Sequence, residues 1–182
     1  MEVFAPSKEF IDKEDQYGAH NYHPLPVVLE RGEGVYVWDV EGKKYYDFLS
    51  AYSSVNQGHC HPRLVNKMQK QCAKLTLTSR AFYNNLLGEC EEYLHNVFGY
   101  DKALLMNSGV EAVETAMKLC RKWAYEVKGV DSHQAKILFA KDNFHGRTLS
   151  VISASTPLFI NKALSYPNTL WRYSSHSPKR LL

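Results

Sequence analysis

The sequence predicts an α/β chain in two parts: an antiparallel β-meander at the front, then the first strands and helices of a parallel layer. Three observations predict it. Short runs rich in Val, Tyr, Trp and Phe occupy 27–31, 35–39 and 44–48, separated by Gly32, Glu33 and Gly34 and by Glu41 and Gly42, which is the spacing of strands that fold back on their neighbours. Apolar residues then recur at helical spacing in three stretches between 62 and 127. Two short apolar runs, 102–107 and 136–140, flank the last of these helices, and strand, helix and strand in that order build parallel sheet.

Taken in order, Ser7 can cap a first helix running to about Tyr17, with Gly18 just past its end. Pro24 and Pro26 forbid helix and favour an extended path into the meander. Pro62 suits the first position of a helix whose stripe is Leu64, Val65, Met68, Cys72 and Leu75. The spacing predicts a second helix over 85–98, with Leu86, Leu87, Cys90, Tyr93, Leu94 and Val97 inward and Gly99 as its stop. The run 102–107 reads as a buried strand entering a tight turn at Ser108 and Gly109. A third helix over 111–127 follows, with Val113, Ala116, Met117, Cys120 and Ala124 as its buried face, and then a buried strand at 136–140. From Pro157 onward no period of either kind is visible, and 174–180 reads as loop.

Composition excludes several classes. At 182 residues, with 45% hydrophobic and 23% charged, the chain is neither a disordered tail nor a fibrous repeat. A net charge of +3, evenly scattered, does not argue for nucleic acid. No apolar run approaches the ~20 residues of a membrane helix. Cys60, Cys72, Cys90 and Cys120 stand apart without a CxxC pair and read as reduced, partly buried thiols of an intracellular protein. The acidic N-terminus (Glu2, Glu9, Asp12, Glu14, Asp15) does not resemble a mitochondrial presequence, so a cytoplasmic location is expected for the chain as given.

The strongest chemical signal is MNSGVEAVE at 106–114. A strand that ends in Asn-Ser-Gly and opens a helix presents unpaired N–H groups at the helix's positive end, where a phosphate binds. Gly109 would let the backbone approach the anion, and the Ser108 hydroxyl could donate one more bond. An ordinary capped helix with Glu111 and Glu114 in its first turn explains the same residues. Arg147, in FHGR at 144–147, could grip a carboxylate bidentately or sit on the surface. Phe144 could be core or could cover an aromatic ligand. Tyr22 and Tyr52 are phenols beside loops. His59, Cys60 and His61 are adjacent donors in one loop, a poor arrangement for wrapping one ion.

Taken together, YGAHNYHPLPVVLERG (17–32), YDFLSAYSSVNQGHCHP (46–62), LTLTSRAFYN (75–84), MNSGVEA (106–112) and FHGRTL (144–149) resemble the class III pyridoxal-phosphate-dependent aminotransferases, and within them the members that act on ornithine. The resemblance covers about residues 8 to 156. It implies an incomplete type I pyridoxal-phosphate transferase fold: 1–60 as the N-terminal part of the small domain, 61–156 as the beginning of the large cofactor-binding domain, and 157–182 as a tail unlike the family. It implies pyridoxal 5'-phosphate as cofactor, held by Ser108, Gly109, Val110, Phe144 and His145, the last at a position often Trp in the family. Tyr22, Tyr52 and Arg147 are implied as substrate-binding, with ornithine and 2-oxoglutarate as substrates and a homodimer as the assembly. No nucleic-acid or membrane partner is implied. Acetylornithine and 4-aminobutyrate enzymes are the alternatives within the family, and the mitochondrial matrix is the alternative compartment.

The resemblance also implies what is absent. The family's Schiff-base lysine, its pyridinium aspartate, the glutamate that holds the clamp arginine in reserve and a second substrate arginine have no counterparts here, because the family chain is more than twice as long. Lys162, in a Lys-Ala-Leu-Ser context, follows Arg147 by fifteen positions and lacks the intervening sheet that would aim its amine. The expectation is therefore a truncated, marginally stable chain without catalysis of its own, whose two strands keep unpaired edges.

Overall fold

The computed structural model describes residues 5–154 and 171–174, as two compact units that divide between Asn84 and Asn85. The first opens with α1 (Ala5–Tyr17), then β1 (Leu29–Glu33), β2 (Tyr36–Asp39) and β3 (Lys44–Tyr46), a single turn α2 (Ser50–Ser53), and α3 (Pro62–Cys72). The second holds α4 (Leu87–Phe98), α5 (Gly109–Glu126), β4 (Ile137–Ala140), α6 (Leu149–Ala154) and β5 (Trp171–Ser174).

The meander is present and antiparallel in the order β1-β2-β3. Glu33 pairs Tyr36, so Gly34 and Val35 make the first hairpin turn, with Gly34 at φ 58°. The register shifts between Leu29 and Arg31, and this bulge offsets β1 from the position that alternation alone suggests. Tyr36, Trp38, Lys44 and Tyr46 share one face. There the Lys44 ammonium lies 3.4 Å from the Tyr36 ring centre and the Arg31 guanidinium 3.5 Å from that of Trp38.

The other face carries Val37, Asp39 and Tyr45. Asp39 is only 6% exposed, and each of its carboxylate oxygens is used. Oδ1 accepts the Glu41 and Lys43 N–H groups at 3.1 and 2.8 Å, closing the turn through Gly42, and Oδ2 accepts the Tyr45 hydroxyl at 2.6 Å. Ser7 does not cap α1 as expected. It sits inside the helix, buried, and its N–H donates to Glu41 Oε1 at 3.0 Å. The helix stops where Gly18 donates to the Glu14 carbonyl at 2.7 Å.

In the second unit α5 and α6 cover one side of β4. Met117, Phe139, Val151 and Ala154 form the core, with Val110, Val113 and Ile137 packed against it. The strand expected at 102–107 is absent: these residues are described and belong to no ladder, and Leu104 and Leu105 face solvent. A strand is defined by a partner, which apolarity alone does not supply. The edge expected to be bare on both sides of β4 is half covered, since β5 pairs with it in parallel from Ile137–Trp171 to Ala140–Ser174. Thus part of the stretch that reads as aperiodic is sheet; four residues are too few to show a period. Lys162 lies outside the described residues, as do the others of 157–170 and 175–182. The stripes of α3 and α4 exist but are not buried: Leu64, Met68, Tyr93 and Val97 are all exposed. On α5 only Met117 of the expected face is buried while Ala116 and Cys120 are exposed, and the four cysteines expected to be partly buried are all exposed.

The Asp39–Tyr45 bond sets a pH window. The Tyr45 hydroxyl, followed by the turn N–H groups, holds the Asp39 carboxyl below its ordinary value of 3.8, and that carboxylate pushes the Tyr45 phenol up to about 12 from 10. The carboxylate's contribution is present above 3.8 and is lost as pH falls through its lowered value; the phenol's is present below 10 and is lost as pH rises through about 12. Near-ultraviolet circular dichroism of the meander aromatics is expected to be flat between these limits and to collapse at both ends, and Asp39→Asn should abolish the acid limb.

Candidate functional site

In the second unit the mouth of α5 is built as its sequence suggests. Ser108 is the N-cap, extended at φ −141° and ψ 162°, and its oxygen accepts the Glu111 N–H at 3.4 Å. The hydroxyl hydrogen goes to Glu111 Oε2 at 3.1 Å, and the Asn107 amide donates to Oε1 at 3.4 Å. These donors, Asn107 foremost, hold the Glu111 carboxyl below the ordinary glutamate value. In this structure the one hydrogen of the Ser108 hydroxyl serves Glu111. What remains for an anion is backbone, because the first N–H groups of a helix have no acceptor within it. Gly109 leaves room, as a Cβ there would meet nothing within 4 Å. The residues fit a phosphate held by main-chain donors.

Beside this mouth runs the loop 143–148. Asn143 ties it down by donating to the carbonyls of Ala140 and Ala154 at 2.7 and 3.1 Å, which links the end of β4 to the end of α6. Gly146 then lies directly on Val110: with φ at 120°, a Cβ on it would stand 2.6 Å from a Val110 methyl. Thr148, at the start of α6, donates to Glu114 on α5. The His145 ring packs at 5.6 Å from Phe139 in the core, whereas Phe144 is 73% exposed and Arg147 is exposed. The structure thus brings Ser108, Gly109, Val110, Phe144, His145 and Arg147 into one neighbourhood, joined through Val110 and Gly146.

In the first unit Tyr22 lies in an irregular segment and is exposed, and Tyr52 is 84% exposed on α2. That turn is unusual. Ser50, Ala51, Tyr52 and Ser53 have φ of 47°, 47°, 56° and 68°, a left-handed turn without glycine. Such residues cost roughly 1–2 kcal/mol each in this conformation. Asp47 stands at its entrance, accepting the Leu49 and Ser50 N–H groups at 3.1 and 2.8 Å through Oδ1 and His59 Nε2 at 2.7 Å through Oδ2. The Ser50 N–H and then His59 hold the Asp47 carboxyl below its usual range.

Several of these residues are not singled out by the sequence. Gly146 reads as a spacer before Arg147, and only a backbone contact reveals its part. Asp47 and His59 stand twelve positions apart, a separation that no local motif signals. Neither helix α6 nor the left-handed turn is expected, since both are shorter than a period can register.

Comparison with known proteins follows from this geometry. The sequence model of the family described as Aminotransferase class-III matches residues 17–174, beyond position 156 where the sequence reading ends its resemblance. The mitochondrial ornithine aminotransferase of Rattus norvegicus is 64% identical over 152 residues, which are 83% of this chain and 35% of that protein. The ornithine aminotransferase of Toxoplasma gondii superposes with a TM-score of 0.89 at 40% identity, over 94% of this chain and 40% of that one. A second structure of the Toxoplasma gondii enzyme, crystallized in the presence of oxidized glutathione, is described with partial occupancy of pyridoxal phosphate at its active site. The acetylornithine aminotransferase of Elizabethkingia anophelis superposes with a TM-score of 0.72 at 64% identity, over 75% of this chain and 36% of that one. The chain spans about a third of the length of the curated relatives it matches.

The two glycines of the neighbourhood separate by substitution. Gly109→Ala enters open space and should leave the urea midpoint unchanged or raise it slightly. Gly146→Ala meets Val110 at a positive φ and should lower stability by more than ~1 kcal/mol.

Proposed function

The chain belongs to the class-III aminotransferases and folds as part of their type I architecture, and from that premise we propose that it carries the phosphate-binding, ring-covering and substrate-contacting residues of an ornithine δ-aminotransferase. The observation that carries this reading is the contact of Gly146 with Val110, which sets the open helix mouth beside Phe144 and Arg147.

Pyridoxal 5'-phosphate supplies, when bound, the electron sink that amino-group transfer requires. The loop of Ser108, Gly109 and Val110 receives its phosphate through main-chain N–H groups at the mouth of α5, where Gly109 leaves the approach open. Phe144 covers one face of the pyridine ring, and His145 is fixed beneath it by packing on Phe139. Arg147 offers a planar guanidinium to the carboxylate of glutamate and 2-oxoglutarate. Tyr22 and Tyr52 line the path of the ornithine chain. The net reaction carries the δ-amino group of ornithine to 2-oxoglutarate, giving glutamate semialdehyde and glutamate.

The proposal extends to organisation. Residues 1–60 correspond to the front of a small domain and 61–156 to the start of the large one, in an assembly of two chains. By itself this segment binds cofactor without turning over substrate. The rat relative's name supports the mitochondrial matrix above the cytoplasm. An acetylornithine enzyme is the second reading, favoured by the 64% identity to the Elizabethkingia protein.

Two measurements test this. Titration of the 182-residue chain with pyridoxal phosphate should saturate and should weaken by about tenfold or more in Gly109→Ala, whose methyl group would stand in the open space through which the phosphate reaches the main-chain N–H groups; one hydrogen bond to a charged group that can no longer close is worth about that much. Borohydride should fix no label onto a lysine. Unchanged affinity in Gly109→Ala would place the phosphate elsewhere, and a labelled lysine would refute the absence of turnover chemistry. For the substrate, residues 17–154 replace the corresponding segment of the rat enzyme. Tyr52→Ile in that chimera should erode the preference for ornithine over acetylornithine and 4-aminobutyrate; an intact preference removes Tyr52 from the site.

A further inference from the structure

We propose that Asp47 and His59 are positioning residues: their side chains brace the left-handed turn Ser50–Ser53 from its two ends and so fix the direction in which Tyr52 is presented. This rests on the reading of Tyr52 as a substrate contact.

The turn needs an external brace. Ser50, Ala51, Tyr52 and Ser53 include no glycine or asparagine, the residues that enter left-handed backbone at little cost. Its internal bonds are few and mostly long: Ser53 N–H to the Leu49 carbonyl at 3.3 Å, Ser54 to Ala51 at 3.3 Å and Val55 to Ser50 at 3.0 Å. Asp47 supplies what they do not. Its own N–H is anchored on Val35 of the hairpin at 2.9 Å, and Oδ1 takes the Leu49 and Ser50 N–H groups that open the turn. Oδ2 takes His59, which lies beyond the turn's exit.

His59 is itself immobilised. Its N–H and carbonyl exchange hydrogen bonds with Gly34 at 2.8 and 3.0 Å, and its ring lies on Gly32 so closely that a Cβ there would stand 2.7 Å from the ring. The two side chains are only 26% and 17% exposed, for His59 and Asp47 respectively, against 84% for Tyr52. A rigid, shielded pair thus stands behind a strained, exposed phenol. Entry and exit of the turn are both referred to the same hairpin, Gly32 to Val35.

Positive φ leaves a spectroscopic signature, a strong intraresidue cross-peak between amide hydrogen and Hα. In the labelled 182-residue chain this signal is expected at Ala51 and Tyr52. It should vanish in Asp47→Ala and in His59→Phe, which keeps a flat ring on Gly32 and removes only the donor. It should survive in Asp47→Asn, whose amide oxygen still accepts the Leu49 and Ser50 N–H groups. Resonances of α5 serve as the reference for folding, and His59→Phe decides if Asp47→Ala loses them. Persistence of the Tyr52 signal in His59→Phe, or its absence from the unaltered chain, overturns the proposal. In the rat chimera Asp47→Ala should raise KM for ornithine by about tenfold, within the range that misplacing one contact produces, and leave KM for 2-oxoglutarate unmoved. Loss of the turn with an unmoved ornithine KM would leave the brace standing and refute the substrate role of Tyr52.

Discussion

The second unit depends on one approach of backbone to side chain. Val110 fills the space that a Cβ on residue 146 would need, so helix α5 and the loop 143–148 can meet only through a glycine, and only with that glycine at φ 120°. Val110 also packs on the core of Met117, Phe139, Val151 and Ala154. A close-packed interior transmits such a contact without slack. The position of the helix mouth relative to Phe144 and Arg147 is therefore set by the core beneath it, and these exposed residues inherit a rigid base.

The first unit is organised differently. Among the described residues Val37 is its one buried hydrophobic side chain, too little to order a meander by burial. Two carboxylates take over that work. Asp39 closes the β2–β3 turn and holds Tyr45, and Asp47 holds both Leu49 and Ser50 and reaches His59. Each is a multiple acceptor for N–H and O–H groups that would otherwise need water. Order in this unit is consequently tied to the ionisation of two aspartates, whereas order in the second unit is tied to packed volume.

What the sequence made legible follows the same division. Periodicity and punctuation located α3, α4, α5 and the three strands of the meander, because Pro62, Gly99 and Gly42 act within a few residues of themselves. Periodicity did not decide burial: Leu64, Met68, Tyr93 and Val97 lie on stripes that the described residues leave exposed, since a stripe states where apolar groups are and not what covers them. It misread 102–107, where apolar composition lacks a ladder, and passed over β5, whose partner is thirty-four positions earlier. In the site, Gly109 and Arg147 were visible as residue types. Gly146 was not, and in the first unit Asp47 went unnoticed while His59 was read only as a poor metal donor, because each acts on a neighbour distant in the chain.

The mouth of α5 shows why residue type alone is an incomplete guide to anion binding. A helix terminus carries about half a unit of positive charge, and here the Glu111 carboxylate already lies against it, held by Asn107 and Ser108. A phosphate brought to the same end gains little from the dipole, since the nearby carboxylate offsets it. Its binding has to come from short-range donation by main-chain N–H groups. Short-range donation demands contact, and the missing side chain at residue 109 leaves room for it. Of the two residues at this mouth it is Gly109, and not Ser108, whose missing side chain leaves the approach to the N–H groups open, and the Val110–Gly146 contact brings the loop of Arg147 alongside that opening.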